Sequence, residues 1–136
     1  AAIMGNAFGG GMELSVACDL RFAADHVKMG FTQARFGLIP GWGGASRLAA
    51  LIGRGRAFYM LSAARLIDAN TALSMGLVDA IAPLAEFDAL LNDYYRHVTA
   101  LSPAAVAAAK RVLNKGMPWS ENLEYELNEF TALWAG

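Results

Sequence analysis

An α/β core followed by a helical C-terminal part is the fold class this sequence predicts. Short apolar runs that read as strands alternate with helical stretches over the first 82 residues. Beyond Pro83 the apolar residues recur at helical spacing instead. The composition, 56% hydrophobic and 17% charged over 136 residues, suffices for one domain with a real core. The expected division is residues 1–82 as α/β core and residues 83–136 as a helical subdomain.

Ala1 to Met4 is a short apolar strand that feeds a glycine turn, Gly9 to Gly11. Met12 to Cys18 reads as a helix, apolar nearly all round and therefore buried. Leu20 to Ala23 alternates as a strand does, Ala24 to His26 turns, and Val27 to Gly30 forms the next strand. Thr32 to Phe36 fits one helical turn, ended by Gly37 in the left-handed conformation. Leu38 to Gly44 is a glycine-rich loop in which Trp42 reads as a plug over the sheet edge. Helices follow at Ala45 to Ile52 and Ala57 to Ala64, with Arg54 and Arg56 solvated at the start of the second. Asp68 is a good cap for a helix from Ala69 to Met75, and Leu77 to Ala82 is a last strand. Phe87, Leu90, Leu91, Tyr94, Val98 and Leu101 share a helical stripe. Ser102 caps a helix opening at Pro103, where proline costs nothing, and Lys110 and Arg111 on that helix face solvent. Ser120 starts the final helix, with Leu123, Leu127, Phe130 and Trp134 on one face.

The stretch with chemistry in it is Gly9-Gly10-Gly11 followed by Glu13. Glycines lose much backbone entropy on ordering, so three together belong where the chain turns tightly or comes close to another group. The first amides of a helix lack intrahelical partners and carry the positive end of its dipole. A glycine-lined helix start therefore suits an anion, or an oxygen that becomes negative during a reaction. The plainer alternative is a tight strand-to-helix turn in which Glu13 merely complements the dipole. No Lys-Ser or Lys-Thr pair follows the glycines, so a phosphate loop is excluded, and the spacing is not that of a dinucleotide fingerprint.

A formal net charge of -1 argues against a nucleic-acid surface and against an anionic membrane. No apolar run approaches about 20 residues, so no membrane span is expected. One cysteine excludes an internal disulfide and suits a reducing, cytoplasmic compartment. No His/Cys cluster has metal-ligand spacing, and no metal is expected.

The segment AAIMGNAFGGGMELSVACDLRFAAD resembles the core signature of the enoyl-CoA hydratase/isomerase (crotonase) superfamily. KMGFTQARFGLIPGWGGASRLAALIG is similar to that family's Phe-Gly-x-Pro-Glu, Leu-Gly-x-x-Pro-Gly and Gly-Gly-x-x-Arg-Leu pieces, and the likeness continues through LIDANTALSMGLVDAIAP. The resemblance implies a spiral of strand-strand-helix units followed by a helical C-terminal subdomain. It also implies that the N-terminal part of that spiral is not in this chain, which is then part of a longer protein. The implied substrate is an acyl thioester of coenzyme A, with no other cofactor, and the implied assembly is a homotrimer or hexamer built through the C-terminal helices.

By the same resemblance, two backbone amides hold the thioester oxygen and stabilise its enolate. One matches Gly10, with Gly9 beside it; the other belongs to an earlier loop. Pro40, Gly41 and Trp42 match the loop that lines the acyl pocket. In hydratases of the family two glutamates orient a water. The first matches Glu13. The second should stand four residues before Gly37, where this sequence has Gln33, an amide that can hold a water or a substrate oxygen but cannot serve as acid or base.

Three outcomes stay open. Glu13 acts as the only acid/base in hydration or isomerisation, which requires burial to raise its pKa towards neutral. Alternatively the protein is decarboxylase-like, as the piece Trp42-Gly43-Gly44-Ala45-Ser46-Arg47-Leu48 resembles one in acyl-CoA decarboxylating relatives. Or it is a non-catalytic paralogue that binds acyl-CoA.

Overall fold

The computed structural model describes residues 1–116 and 118–134, and the side chains of all of these but 119 and 120. Two compact units divide it, residues 1–91 and 92–136.

The first unit is α/β, built on two small sheets. In one, β1 (Ala2–Ile3), β3 (Phe22–Ala24) and β6 (Ala80–Ala82) lie in the order β1-β3-β6, all parallel. In the other, β2 (Ala7–Phe8) pairs in parallel with β4 (Lys28–Gly30), and β4 pairs antiparallel with β5 (Ile67–Asp68). The chain thus runs strand, strand, helix: β1 and β2 lead into α1 (Gly10–Val16), and β3 and β4 lead through the 3-10 turn Gln33–Phe36 to α2 (Gly44–Ile52). Then come α3 (Arg54–Ala63), α4 (Ala69–Ser74) and the start of α5 (Phe87–Thr99). Parallel sheets are covered on both faces, and the alanines of β3 show it: Ala23 and Ala24 are fully buried. Met12 and Val16 of α1, Met29 of β4, Leu48 and Ile52 of α2, and Phe87 pack into the same core.

Four differences from the sequence reading have physical causes. Strands β2 and β5 are two residues long and have no period to read; they exist through pairing with β4. Helix α1 starts inside the glycine run, at Gly10 rather than Met12, because the apolar pattern begins only at its third residue. Helix α3 starts at Arg54, ahead of Ala57, so Arg54 and Arg56 lie in its first turn, both exposed.

The fourth is Arg21, which the sequence assigns to a strand over Leu20 to Ala23 and the structure puts just ahead of β3, buried to 2% exposure. Its Nε donates to the Leu77 carbonyl at 2.8 Å, Nη1 to the Cys18 carbonyl at 2.7 Å and Nη2 to Asp79 Oδ2 at 3.3 Å. The fork geometry of guanidinium lets one side chain serve the end of α1 and the lead-in to β6 together.

In the second unit α6 (Pro103–Asn114) and α7 (Trp119–Trp134) pack together. Ser102 Oγ accepts the Ala105 amide at 3.4 Å, and Pro103 opens α6 as expected. Helix α7 begins one residue ahead of Ser120, whose side chain lies outside the described ones. Arg111 does not simply face solvent. Its Nε and Nη2 grip Glu129 at 2.9 and 2.6 Å, and the Tyr125 hydroxyl donates to the same carboxylate at 2.9 Å. These donors push the Glu129 carboxyl down to about 2. Leu123, Leu127, Phe130 and Trp134 stay exposed on the face where the sequence aligned them.

Candidate functional site

The turn ahead of α1 is shaped by Gly9, which takes φ 52° and ψ -116°, a conformation closed to most residues with a side chain. The Gly9 amide donates to the Gly30 carbonyl at 2.9 Å, fastening the turn to β4. The first bond of α1 runs from the Glu13 amide to the Gly9 carbonyl at 3.1 Å. The Gly10 amide stands ahead of that bond and has no hydrogen-bond partner among the described residues. It is one of the unpaired donors that every helix start presents.

Glu13, in the first turn, is 5% exposed. Its carboxylate is an acceptor for four N–H groups. Oε1 accepts from Gln33 Nε2 at 3.0 Å and from the Gly41 amide at 3.3 Å; Oε2 accepts from the Trp42 amide at 2.7 Å and the Gly44 amide at 3.2 Å. Gly44 must be a glycine for this: a β-carbon there would come within 2.6 Å of Glu13 Cγ. Burial alone pushes the carboxyl up, but the amides of Trp42, Gly44 and Gly41 and the side chain of Gln33 together outweigh it and hold the carboxyl below its ordinary value. The lone acid/base reading requires a shift in the opposite direction. Burial removes water but here replaces it with fixed amide dipoles, and these favour the ionised form.

Gln33 opens the 3-10 turn, and its Oε1 is buried without a partner. The ionised carboxylate fixes which end of the amide faces it, because an oxygen turned towards Glu13 would be repelled. Gly9 comes close to the same side chain, with Gln33 Cδ 4.0 Å from where its β-carbon would be. Trp42 is 66% exposed, so it is no core plug. Its ring lies against Gly10 instead: a β-carbon on Gly10 would stand 3.0 Å from Trp42 Cζ3. Gln33 and Pro40 also line an apolar cavity of about 280 Å3 with Phe31, Leu38, Ile39 and Phe58.

The structure thus brings Glu13, Gln33, Gly41 and Trp42 into one hydrogen-bonded group, with Gly9 and Gly10 against it and Pro40 on the adjoining cavity. The sequence reading missed the Gly44 amide and Arg47, whose Nη1 donates to the Trp42 carbonyl at 2.6 Å. The available signal was the glycine pair after Trp42, which echoes the glycine run before Glu13. Among the described residues no group of three or more His, Cys, Asp or Glu side chains could hold a metal, and no helix is long and apolar enough to cross a membrane.

Known proteins share this arrangement of chain. The family model described as enoyl-CoA hydratase/isomerase matches residues 1–132. The chain is 34% identical over 117 residues to a short-chain-enoyl-CoA hydratase of Clostridium acetobutylicum, covering 86% of this chain and 45% of that protein. It is 37% identical over 142 residues to an ethylmalonyl-CoA decarboxylase of Danio rerio, covering 100% of this chain and 47% of the relative. A Thermobifida fusca protein solved in complex with acetoacetyl-CoA superposes with a TM-score of 0.93 at 29% identity, covering 99% of this chain and 54% of that one. The chain therefore spans about half the length of the curated relatives it matches. The glycine turn, the buried acid beside it and the match over nearly every residue lead to one conclusion: the chain belongs to the enoyl-CoA hydratase/isomerase family.

Proposed function

We propose that the whole protein acts on an acyl thioester of coenzyme A and stabilises its enolate, with the Gly10 amide as one donor to the thioester oxygen. Decarboxylation of a 2-substituted malonyl-CoA is the reaction best supported. The observation that carries it is the state of Glu13, whose carboxylate already accepts from four N–H donors. A carboxylate so occupied is a poor base, and with its pKa lowered it is ionised at neutral pH and holds no proton to give. Loss of carbon dioxide needs neither. The electrons of the breaking carbon–carbon bond pass to the thioester as an enolate, and the alpha carbon then takes a proton from water. What the step needs is a preorganised donor at the oxygen, worth about 3 kcal/mol in a water-poor site. The unpaired Gly10 amide, Gln33 in the place of a second glutamate, and the match of the whole chain to a decarboxylase all support this reading.

Hydration or isomerisation with Glu13 as the lone acid/base is the second reading, favoured by the burial of Glu13 beside Gln33. It requires substrate or water to displace one of the four donors. Supplying the whole protein with ethylmalonyl-CoA and with crotonyl-CoA, and following carbon dioxide release and thioester absorbance, separates them. Carbon dioxide release at the higher kcat/KM is expected. Crotonyl-CoA hydration without carbon dioxide release would transfer the assignment to the second reading, and binding of both without turnover would end both. We also propose a homotrimer or hexamer through the helices of residues 83–136, supported by the exposed apolar face of α7; a monomer in sedimentation would remove it.

A further inference from the structure

Three of the four residues from Gly41 to Gly44 are glycine, and glycine loses more conformational entropy on ordering than any other residue. Yet this loop holds three amides on one carboxylate. Trp42 is pinned from both sides: its amide donates to Glu13 Oε2 at 2.7 Å, and its carbonyl accepts from Arg47 Nη1 at 2.6 Å. The guanidinium also fills the space a side chain at Gly43 would take, since a β-carbon there would stand 2.7 Å from Nη1. Gly43 itself is left-handed, at φ 81° and ψ 14°, and caps α2 without a side-chain bond.

We infer that Arg47 is a positioning residue: acting through the Trp42 carbonyl, it sets the loop that fixes Glu13 and seats the Trp42 indole against Gly10. The hydrogen bond of Arg47 goes to the Trp42 carbonyl, not to Glu13 or Gly10. Its charged hydrogen bond is stronger than a neutral one, and it acts on the residue whose two peptide groups link the carboxylate to the outside of the loop. A lysine could reach the carbonyl but could not fill the planar space beside Gly43. The effect on turnover rests on the function proposed above; the effect on the loop does not.

The test uses the whole protein with every tryptophan but Trp42 (Trp119 and Trp134 among them) changed to phenylalanine. Arg47→Met and Arg47→Lys are compared with the parent for Trp42 fluorescence depolarisation, kcat and KM with the preferred acyl-CoA, and Tm. Arg47→Met is expected to speed depolarisation and to lower kcat about tenfold with less change in KM, as misplacement of a catalytic constellation does. Arg47→Lys is expected to restore part of both. Unchanged depolarisation in Arg47→Met overturns the inference. So does an equal loss of kcat and Tm in both variants, which would make Arg47 an ordinary stabilising contact. A parent protein inactive on every acyl-CoA would instead sink the proposed function, while depolarisation would still decide the part played by Arg47.

Discussion

Glu13 shows how one side chain's surroundings decide its chemistry. An acid in the first turn of a helix is common and, when exposed, contributes a few tenths of a kcal/mol up to about 1 kcal/mol against the dipole. Here the carboxylate instead closes a nest of backbone amides from a loop 28 to 31 residues further along the chain. The consequence for pH has a definite sign. The folded pKa lies below the ordinary 4.5, so these bonds stabilise the fold fully above about pH 4.5, and the stabilisation is lost as pH falls through the lower folded value. Glu13→Gln turns an amide NH2 group towards amide donors and is expected to lower stability at neutral pH. In urea unfolding, the gap between the whole protein and this variant should hold from pH 7 to about 4.5 and narrow below it. A gap that widens in acid would contradict the bonding described.

Among the elements, α4 and the α6–α7 pair are held by local devices that are legible in sequence to different degrees. Asp68 closes β5 and caps α4 at once, its Oδ1 accepting the Thr71 amide at 2.7 Å. The cap was readable because an Asp before a helical run satisfies an orphan amide by side-chain length alone. The strand was not, since it needs β4 alongside. Asp68→Ala is expected to lower the denaturation midpoint, and Asp68→Asn to retain most of the parent's stability. An alanine variant as stable as the parent would show that α4 does not depend on its cap. The grip of Arg111 on Glu129 had no comparable signal. The two are 18 residues apart, on helices whose facing sides are set by packing.

For the molecule as a whole, the buried polar group with most at stake is Arg21. It joins the end of α1, the turn before β3 and the approach to β6 within the first unit. Arg21→Ala leaves the Leu77 and Cys18 carbonyls without this donor, and a buried acceptor left unsatisfied costs about 1–3 kcal/mol. The expected result is a large fall in the urea midpoint, with Arg21→Lys recovering only a fraction because one ammonium cannot reproduce the fork. A midpoint within experimental error of the parent would refute that role. Together with Glu13, this arginine shows that the α/β unit is tied across long sequence distances by charged groups satisfied almost wholly by backbone.

The sequence by itself determined the kind of protein this is. The glycine run with its acid, the helix stops at Gly37, Gly53 and Gly76, the caps at Asp68 and Ser102 and the apolar face of the last helix were legible, because each acts within a few residues of itself, whereas the stripe from Phe87 was drawn on to Leu101, past the end of α5 at Thr99. Only the tertiary structure decided what Glu13 is surrounded by, that Trp42 lies on Gly10 rather than in the core, and that Arg21 is buried. Those outcomes depend on which distant amides, rings and carbonyls arrive at the same place, and charge and burial act through space rather than along the chain.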